Sequence, residues 1–248
     1  MIKFENTEVM NFEGAIRGMR NPLNSWDKSD SFICKEMVDM TLEQINETCG
    51  RCPKENKCDI YDTYDHYVIG KNDLDLAQRL IKAGSDHRKF LRQIFVTVDI
   101  TAPLYWWKEF DTYKVGTVAN SCSTMHKIHA KEFTLDDFSH EHLFNGVDNV
   151  EGNDDMEFYE NPTTCLNYVI SVMNYYRKKF IETKDKRYWW QMIQLLPTSY
   201  NQKRTVTLNY EVLRNVYGSR KNHKLDEWSI GFMEWINTLP YSDELIKL

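Results

Sequence analysis

Apolar residues recur along this chain at the spacings of both strands and helices. From residue 92 to residue 101 they alternate, which predicts a strand with one buried face. The apolar positions on that face are Ile94, Val96, Val98 and Ile100. Residues 73–84 show instead the period of an amphipathic helix, which we expect Asp73 to cap and Gly84 to close. The apolar face of this helix would be Leu76, Ala77, Leu80 and Ile81.

The same patterns predict the order of the remaining elements. Residues 1–24 should form a strand and then a helix, and Pro103 suits the first turn of another helix. An exposed acidic loop at residues 150–161 should precede a long amphipathic helix from Pro162 to about Lys184. The last elements would be a helix ending at Pro197, a strand near Thr205–Leu208, and helices after Asn209 and after Leu225. This irregular alternation favours a mixed α/β fold of the α+β kind.

Residues 25–72 differ in composition from the rest, being rich in Asp, Asn, Lys and Cys. We interpret residues 1–248 as a single domain that carries this segment as a Cys-rich insertion, with one helix over Ser31–Glu47. Its cysteines are Cys34, Cys49, Cys52 and Cys58. The Cys-x-x-Cys pair within them can share a tetrahedral zinc ion, and an iron–sulfur cluster could use the same four residues. Free thiols are the alternative, because the second pair has no standard spacing.

Composition and charge narrow the classes of function. The chain has 248 residues with 42% apolar and 27% charged, which is ordinary for a globular protein, and its net charge is −6. That charge argues against a general nucleic-acid binder but permits a small anionic ligand held by local cations. No secretory signal and no apolar run long enough to cross a bilayer are visible, so we expect a cytoplasmic protein whose cysteines are thiols or metal ligands.

The most informative motif lies near the C-terminus. Its members are Leu196, Pro197, Asn209, Leu213, Arg220, His223 and Glu227. Arg220 follows Asn209 by eleven residues, about three helical turns, so both side chains should share a helix face. There Arg220 could grip a phosphate and Asn209 could contact a ring edge. The order and spacing resemble the C-terminal signature of the flavin-dependent thymidylate synthases, although this chain has one residue fewer before His223.

This resemblance implies a fold, ligands and an assembly. The family has a mixed α/β fold, forms homotetramers whose sites draw on several subunits, and methylates dUMP with a folate one-carbon donor, FAD and NADPH. Upstream, His87 precedes an apolar strand that leads to Ala102 and Pro103, as in the family, and the resemblance places His87 against the flavin. Asn209 would also contact the cofactor.

The family's central motif is eroded in this chain. Where the family has Arg-His-Arg followed by Ser, this sequence has Thr112, Tyr113, Lys114 and then Thr117. The later Ser-x-Arg is replaced by Cys122 and Thr124, and another phosphate-binding Arg is replaced by Ile193. Losing these cations should weaken binding of a dianion or a pyrophosphate, because Thr and Ile carry no charge and Lys lacks the forked donors of Arg.

The segment GTVANSCSTMHK still has features of a phosphate- or ribose-binding loop. It carries the hydroxyl groups of Ser121 and Ser123 on either side of Cys122, with Lys114 close by in sequence. A plain polar turn between helices is the alternative. Cys122 could be a nucleophile, but no neighbouring base supports its activation, and a small packed residue is the simpler interpretation.

Three functions are consistent with this sequence. The first is a nucleotide-binding protein of this fold with altered or lost chemistry, which could sequester a nucleotide metabolite or signal. The second is a working FAD-dependent thymidylate synthase that converts dUMP with methylene-tetrahydrofolate and NADPH. The third is a structural or interaction protein. The eroded cations favour the first over the second, and the spacing of Asn209 and Arg220 favours the first over the third.

Overall fold

The protein is described here by a computed structural model that covers residues 2–34, 66–145 and 161–248. Strands and helices alternate irregularly, which confirms the predicted mixed α/β class. The strands are β1 (Lys3–Met10), β2 (Phe32–Cys34), β3 (His66–Val68), β4 (Phe95–Pro103), β5 (Val118–Ser121) and β6 (Asn201–Asn209). The helices are α1 (Phe12–Met19), α2 (Lys71–Lys82), α3 (Leu104–Phe110), α4 (Thr124–Lys127), α5 (Pro162–Thr183), α6 (Lys186–Leu195), α7 (Tyr210–Arg220) and α8 (Met233–Asn237). Two π-helical segments, Glu227–Phe232 and Ser242–Ile246, flank α8.

Four strands form one sheet in the order β1-β4-β6-β5, and β2 pairs antiparallel with β3 in a second sheet. The alternation predicted for β4 is confirmed, since its four inward residues and Ile94 just before it are buried: Ile94, Val96, Val98, Ile100 and Ala102. Pro103 is the last residue of β4 and lies just before α3 rather than in its first turn. None of the helices in the described ranges is long and apolar enough to span a bilayer.

The chain divides into two compact units. Unit 1 comprises Met1–Glu5, Asp99–Thr112 and Ala119–Thr205, and unit 2 comprises Asn6–Val98, Tyr113–Val118 and Val206–Leu248. In unit 1, α5 and α6 pack side by side over a buried apolar cluster: Ile128, Phe133, Phe138, Leu166, Ile170, Met173 and Met192. Each of these helices begins at a polar cap, because the side chains of Asn161 and Asp185 accept hydrogen bonds from backbone N–H groups of the first turn.

Unit 2 contains a buried ion pair between Arg20 and Asp73. Asp73 is fully buried, and its carboxylate accepts hydrogen bonds from Arg20 Nε at 2.5 Å, Ser29 Oγ at 2.7 Å and Ser31 Oγ at 2.6 Å. Burial alone would raise the pKa of Asp73, but these hydrogen bonds and the Arg20 charge outweigh it and lower the pKa below its usual value. A buried charge requires such partners, and here they join α1, α2 and the segment before β2.

Two predictions for this region were wrong. Asp73 does not cap α2. The carboxylate of Asp30 caps it instead, by accepting hydrogen bonds from the N–H groups of Asn72 and Asp73. The predicted helix over Ser31–Glu47 is wrong at its start, because Phe32–Cys34 is strand β2; the rest of that range lies outside the described residues. Gly84 does follow the end of α2, with the positive φ of 107° that favours glycine.

The buried carboxylate predicts a pH dependence of stability. Asp73→Asn should lower the free energy of unfolding at neutral pH by about 3 kcal/mol, because it leaves Arg20 buried without a counter-charge. Because the folded-state pKa is lowered, the wild type should keep this contribution above the pKa of an unfolded Asp and lose it as the pH falls through the folded pKa. Denaturant unfolding across acidic pH measures both effects. Equal stability of the two proteins at neutral pH would contradict this role.

Candidate functional site

Asn209 marks the junction at which β6 ends and α7 begins. It is only 7% exposed, and its side-chain oxygen accepts a hydrogen bond from Val212 N at 3.0 Å, so it is the N-cap of α7. The side-chain amide nitrogen makes no hydrogen bond within the described part of the chain. The side-chain oxygen of Asn209 is therefore used by the cap, and its side-chain nitrogen is the polar atom that is available to contact a ring edge.

The segment Tyr113–Val118 packs closely against the start of α7. Gly116 has a φ of +81°, and a Cβ there would lie 2.9 Å from Asn209 Nδ2 and 3.1 Å from a methyl group of Val212. Thr117 follows, and its hydroxyl is buried without a hydrogen-bond partner among the described residues. Thr117 stands where the resemblance places a serine. A polar group held in this way is a candidate for contact with a ligand.

Arg220, the last residue of α7, is held between aromatic rings. Its Nε donates to the hydroxyl of Tyr113 at 2.9 Å, and its guanidinium lies 5.7 Å from the Tyr113 ring centre and 5.2 Å from that of Trp228. Trp228 is fully buried, so its ring has a fixed position beside the Arg220 guanidinium. We call Tyr113, Arg220 and Trp228 the aromatic clamp. Its cation–π contacts orient the forked donors of Arg220.

The aromatic partners of Arg220 were not found from the sequence. In the sequence Tyr113 stands only as the replacement of a motif histidine, although a phenol can both accept a hydrogen bond from an arginine and cover the face of its guanidinium. Trp228 lies eight residues after Arg220, beyond the end of α7, so helical spacing could not connect them. Lys114, the neighbouring predicted phosphate ligand, is exposed.

His87 lies in an exposed turn after α2 and lines a cleft of about 460 Å³ within unit 2. The buried residues of its lining are apolar, and the charged and amide side chains of its lining are exposed. The residues that line it are Gly18, Met19, Asn21, Pro22, Leu23, Leu76, Leu80, Asp86, His87, Lys89, Phe90 and Gln93. The family resemblance implies a cofactor contact for His87, and its place in a concave surface is compatible with that prediction.

Two arginines near His87 join that turn to α7. Arg88 and Arg92 both donate to the carboxylate of Glu211, which is 7% exposed. Burial would raise the pKa of Glu211, but the two arginines outweigh it and the net pKa is lowered. These charges were not singled out in the sequence. They fix the start of α7, and with it the position of the Asn209 cap.

The predicted phosphate-binding residues Ser121, Cys122 and Ser123 lie in unit 1 and are all exposed. They do not form a simple turn between helices. Ser121 ends strand β5, the N–H of Cys122 donates to the backbone oxygen of Lys203 at 2.9 Å, and Ser123 caps the short helix α4. The Ser123 hydroxyl lies 2.8 Å from His126 Nδ1, and Cys122 is a free thiol.

The seven predicted ligand-contacting residues therefore divide between the units. His87, Lys114, Asn209 and Arg220 belong to unit 2, and Ser121, Cys122 and Ser123 belong to unit 1. In unit 2, the packing of residues 113–118 on α7 brings the Tyr113–Thr117 segment together with Asn209 and with Arg220.

The cysteine cluster is not tested by this structure. Cys49, Cys52 and Cys58 lie outside the described residues, and of Cys34 only the backbone, in β2, is described. Within residues 2–34, 66–145 and 161–248, no group of three His, Cys, Asp or Glu side chains is placed to hold a metal ion. A zinc or iron–sulfur site in the insertion stays a prediction.

Comparison with known proteins gives a match in structure but not in sequence. No protein-family model matches the chain, and no curated protein matches it. A crystal structure of thymidylate synthase X (ThyX) from Helicobacter pylori with FAD and dUMP matches with a TM-score of 0.59 and 14% identity, covering 99% of this chain and 96% of that one. A second, of flavin-dependent thymidylate synthase ThyX from the same organism complexed with FAD and dUMP, has a TM-score of 0.60, 13% identity and coverages of 99% and 98%.

This chain has the ThyX fold. The match covers nearly the whole chain, so the mixed α/β fold implied by the sequence resemblance is confirmed. At this level of identity the likeness establishes the fold, and function has to be argued from the residues of the site.

Three glycine variants test the packing at the start of α7. Gly116→Ala should destabilise the protein by about 1–3 kcal/mol, because it adds an atom against Asn209 and Val212 and strains a positive φ. Gly84→Ala strains a positive φ in open space and should cost less, while Gly218→Ala, in open space within α7, should stabilise by up to about 1 kcal/mol. Thermal and denaturant unfolding would rank them. A Gly116 variant no less stable than the Gly84 variant would contradict the close contact.

Proposed function

We propose that this chain is a nucleotide-binding protein of the ThyX fold whose chemistry is altered or lost, and that it sequesters a nucleotide metabolite or signal. The observation that carries the proposal is the aromatic clamp, which holds Arg220 in a fixed orientation at the end of α7. The relatives with this fold were solved with FAD and dUMP, both of which contain phosphate and a ring system.

An arginine in this setting is suited to an anionic ligand. Its guanidinium is always charged, and contact with Tyr113 and Trp228 reduces the number of orientations it must lose on binding. Lys114 belongs to the segment that supplies Tyr113, and it would add a second positive charge without a fixed geometry. Asn209 Nδ2 and the Thr117 hydroxyl are candidates for the polar contacts that select among nucleotides.

The donor set does not match that of a flavin enzyme of the usual type. Tyr113 stands where the resemblance implies a histidine, and its hydroxyl is engaged by Arg220. Thr124 and Ile193 offer no charge where the resemblance implies phosphate-binding arginines, and Thr112 offers none where it implies a motif arginine. A site with few cations binds a dianion or a pyrophosphate weakly, which supports altered chemistry over catalysis through FAD.

Two alternatives make different predictions. A working thymidylate synthase would purify with a flavin spectrum and would turn over dUMP with methylene-tetrahydrofolate and NADPH, and the cleft at His87 favours it as the second candidate. A structural or interaction protein would be colourless and would not be thermally stabilised by any nucleotide. Homotetramer formation belongs to the proposal through the family resemblance alone, and a cytoplasmic location stays the expectation drawn from the sequence.

Arg220→Ala should weaken binding of the nucleotide roughly tenfold or more, as measured by isothermal titration calorimetry, because it removes the charge that we propose contacts the phosphate. A panel of nucleotides, with dUMP included, would first identify the ligand on the wild-type protein. Arg220→Lys should restore part of the affinity, because it keeps the charge but loses the fork and the stacking.

Arg79→Ala is the matched control, because Arg79 belongs to unit 2 and is exposed in an ion pair with Asp75 on α2. It should bind as the wild type does. Circular dichroism would establish that each variant is folded. Unchanged affinity in folded Arg220→Ala would remove Arg220 from the site, and absence of binding to any nucleotide in the wild type would contradict the proposed function.

A further inference from the structure

A second arginine, Arg204 in strand β6 of unit 1, is held as firmly as Arg220. Its guanidinium stacks over the ring of Trp107 with 4.2 Å between the guanidinium carbon and the ring centre. Trp107 is 1% exposed, and its own N–H donates to the backbone oxygen of Gln202 at 2.9 Å, so the ring cannot rotate away. The Arg204 side chain is 14% exposed. The Arg204 guanidinium is therefore held in a fixed position over the buried Trp107 ring.

Gln202 connects this arginine to the exposed segment around Cys122. Its side-chain oxygen accepts from Arg204 Nε at 3.0 Å, and its side-chain nitrogen donates to the Cys122 backbone oxygen at 2.8 Å. A single carboxamide thus separates the guanidinium from Cys122. Ser121 and Ser123, one residue to either side, are exposed and carry hydroxyl groups.

Only part of the hydrogen-bonding capacity of Arg204 is used. Besides the bond to Gln202, Nη1 donates to Asp111 at 2.9 Å, and the two N–H groups on Nη2 have no hydrogen-bond partner within residues 2–34, 66–145 and 161–248. Asp111 is 48% exposed, so water screens its attraction for Arg204. A stacked, oriented arginine with open donors is suited to an oxyanion, whose two oxygens can match the fork.

We propose that Arg204 is the main ligand of an oxyanion site in unit 1, which takes a phosphate group beside the segment Ser121–Ser123. The phosphate could be that of a nucleotide or inorganic phosphate, since both present the same tetrahedral oxygens. Arg204 would supply in unit 1 a charge of the kind that Thr124 and Ile193 lack. The site stands on the contacts of Arg204 and Gln202 and needs no contribution from Arg220.

The neighbouring charges define what competes for the site. Asp111 partly neutralises the charge of Arg204, and an anion that binds Arg204 would compete with this ion pair. Lys203 points to the other side of the strand, where it is paired with Glu5 and Asp99, so it is not available to the anion. The strength of binding therefore depends on Arg204 and is reduced by Asp111.

Isothermal titration calorimetry at constant ionic strength with inorganic phosphate, pyrophosphate, dUMP and deoxyuridine tests this site on the full chain. The wild type should bind at least one of the phosphate-containing probes saturably and with higher affinity than deoxyuridine. Arg204→Gln should weaken that binding roughly tenfold or more, and Arg204→Lys should weaken it less. Asp111→Asn should tighten it, because the competing charge is removed.

The control is Arg187→Gln, which removes an exposed arginine of unit 1 that is paired with Asp185, and it should bind as the wild type does. If Arg204→Gln does not fold, the Lys and Asp111 variants still decide the question. A purely structural Arg204 predicts lower stability in these variants with no change in anion affinity, and that result would overturn the proposal. Absence of saturable anion binding in the wild type would overturn it too. Weaker nucleotide binding in Arg220→Ala with unchanged affinity for inorganic phosphate would separate the two sites.

Discussion

The cap formed by Asn209 is the interaction on which the candidate nucleotide site depends. Its bond to Val212 N sets the residue at which β6 gives way to α7. The length of α7 then fixes where Arg220 emerges, and the closeness of Gly116 to the cap fixes where Tyr113 can meet Arg220. A short polar side chain at a strand–helix junction therefore determines the geometry of a cation eleven residues away.

Both of the proposed anion-binding arginines are oriented by tryptophan. Arg220 lies near Trp228 in unit 2, and Arg204 lies over Trp107 in unit 1. A stacked arginine loses little further freedom when it binds an anion, which compensates in part for a small number of cations. The abundance of aromatic residues in this sequence thus contributes to the candidate binding sites as well as to the core.

Much of the fold could be predicted from local pattern. The alternation of β4, the period of α2 and Pro162 at the start of α5 gave elements that the structure contains. The cap of α2 could not be predicted, because Asp30 reaches it from a different segment and frees Asp73 to pair with Arg20. The aromatic clamp and the contacts of Arg204 could not be predicted for the same reason, because both join residues that are far apart in sequence. The roles of Asn209 and Arg220 in ligand binding stay predictions.

The most direct measurement of the central claim is a crystal structure of the protein with the nucleotide that binds best. The account predicts a phosphate oxygen within hydrogen-bond distance of the Arg220 guanidinium, with the guanidinium still in contact with Tyr113 and Trp228. A bound nucleotide whose phosphate does not contact Arg220 would contradict it.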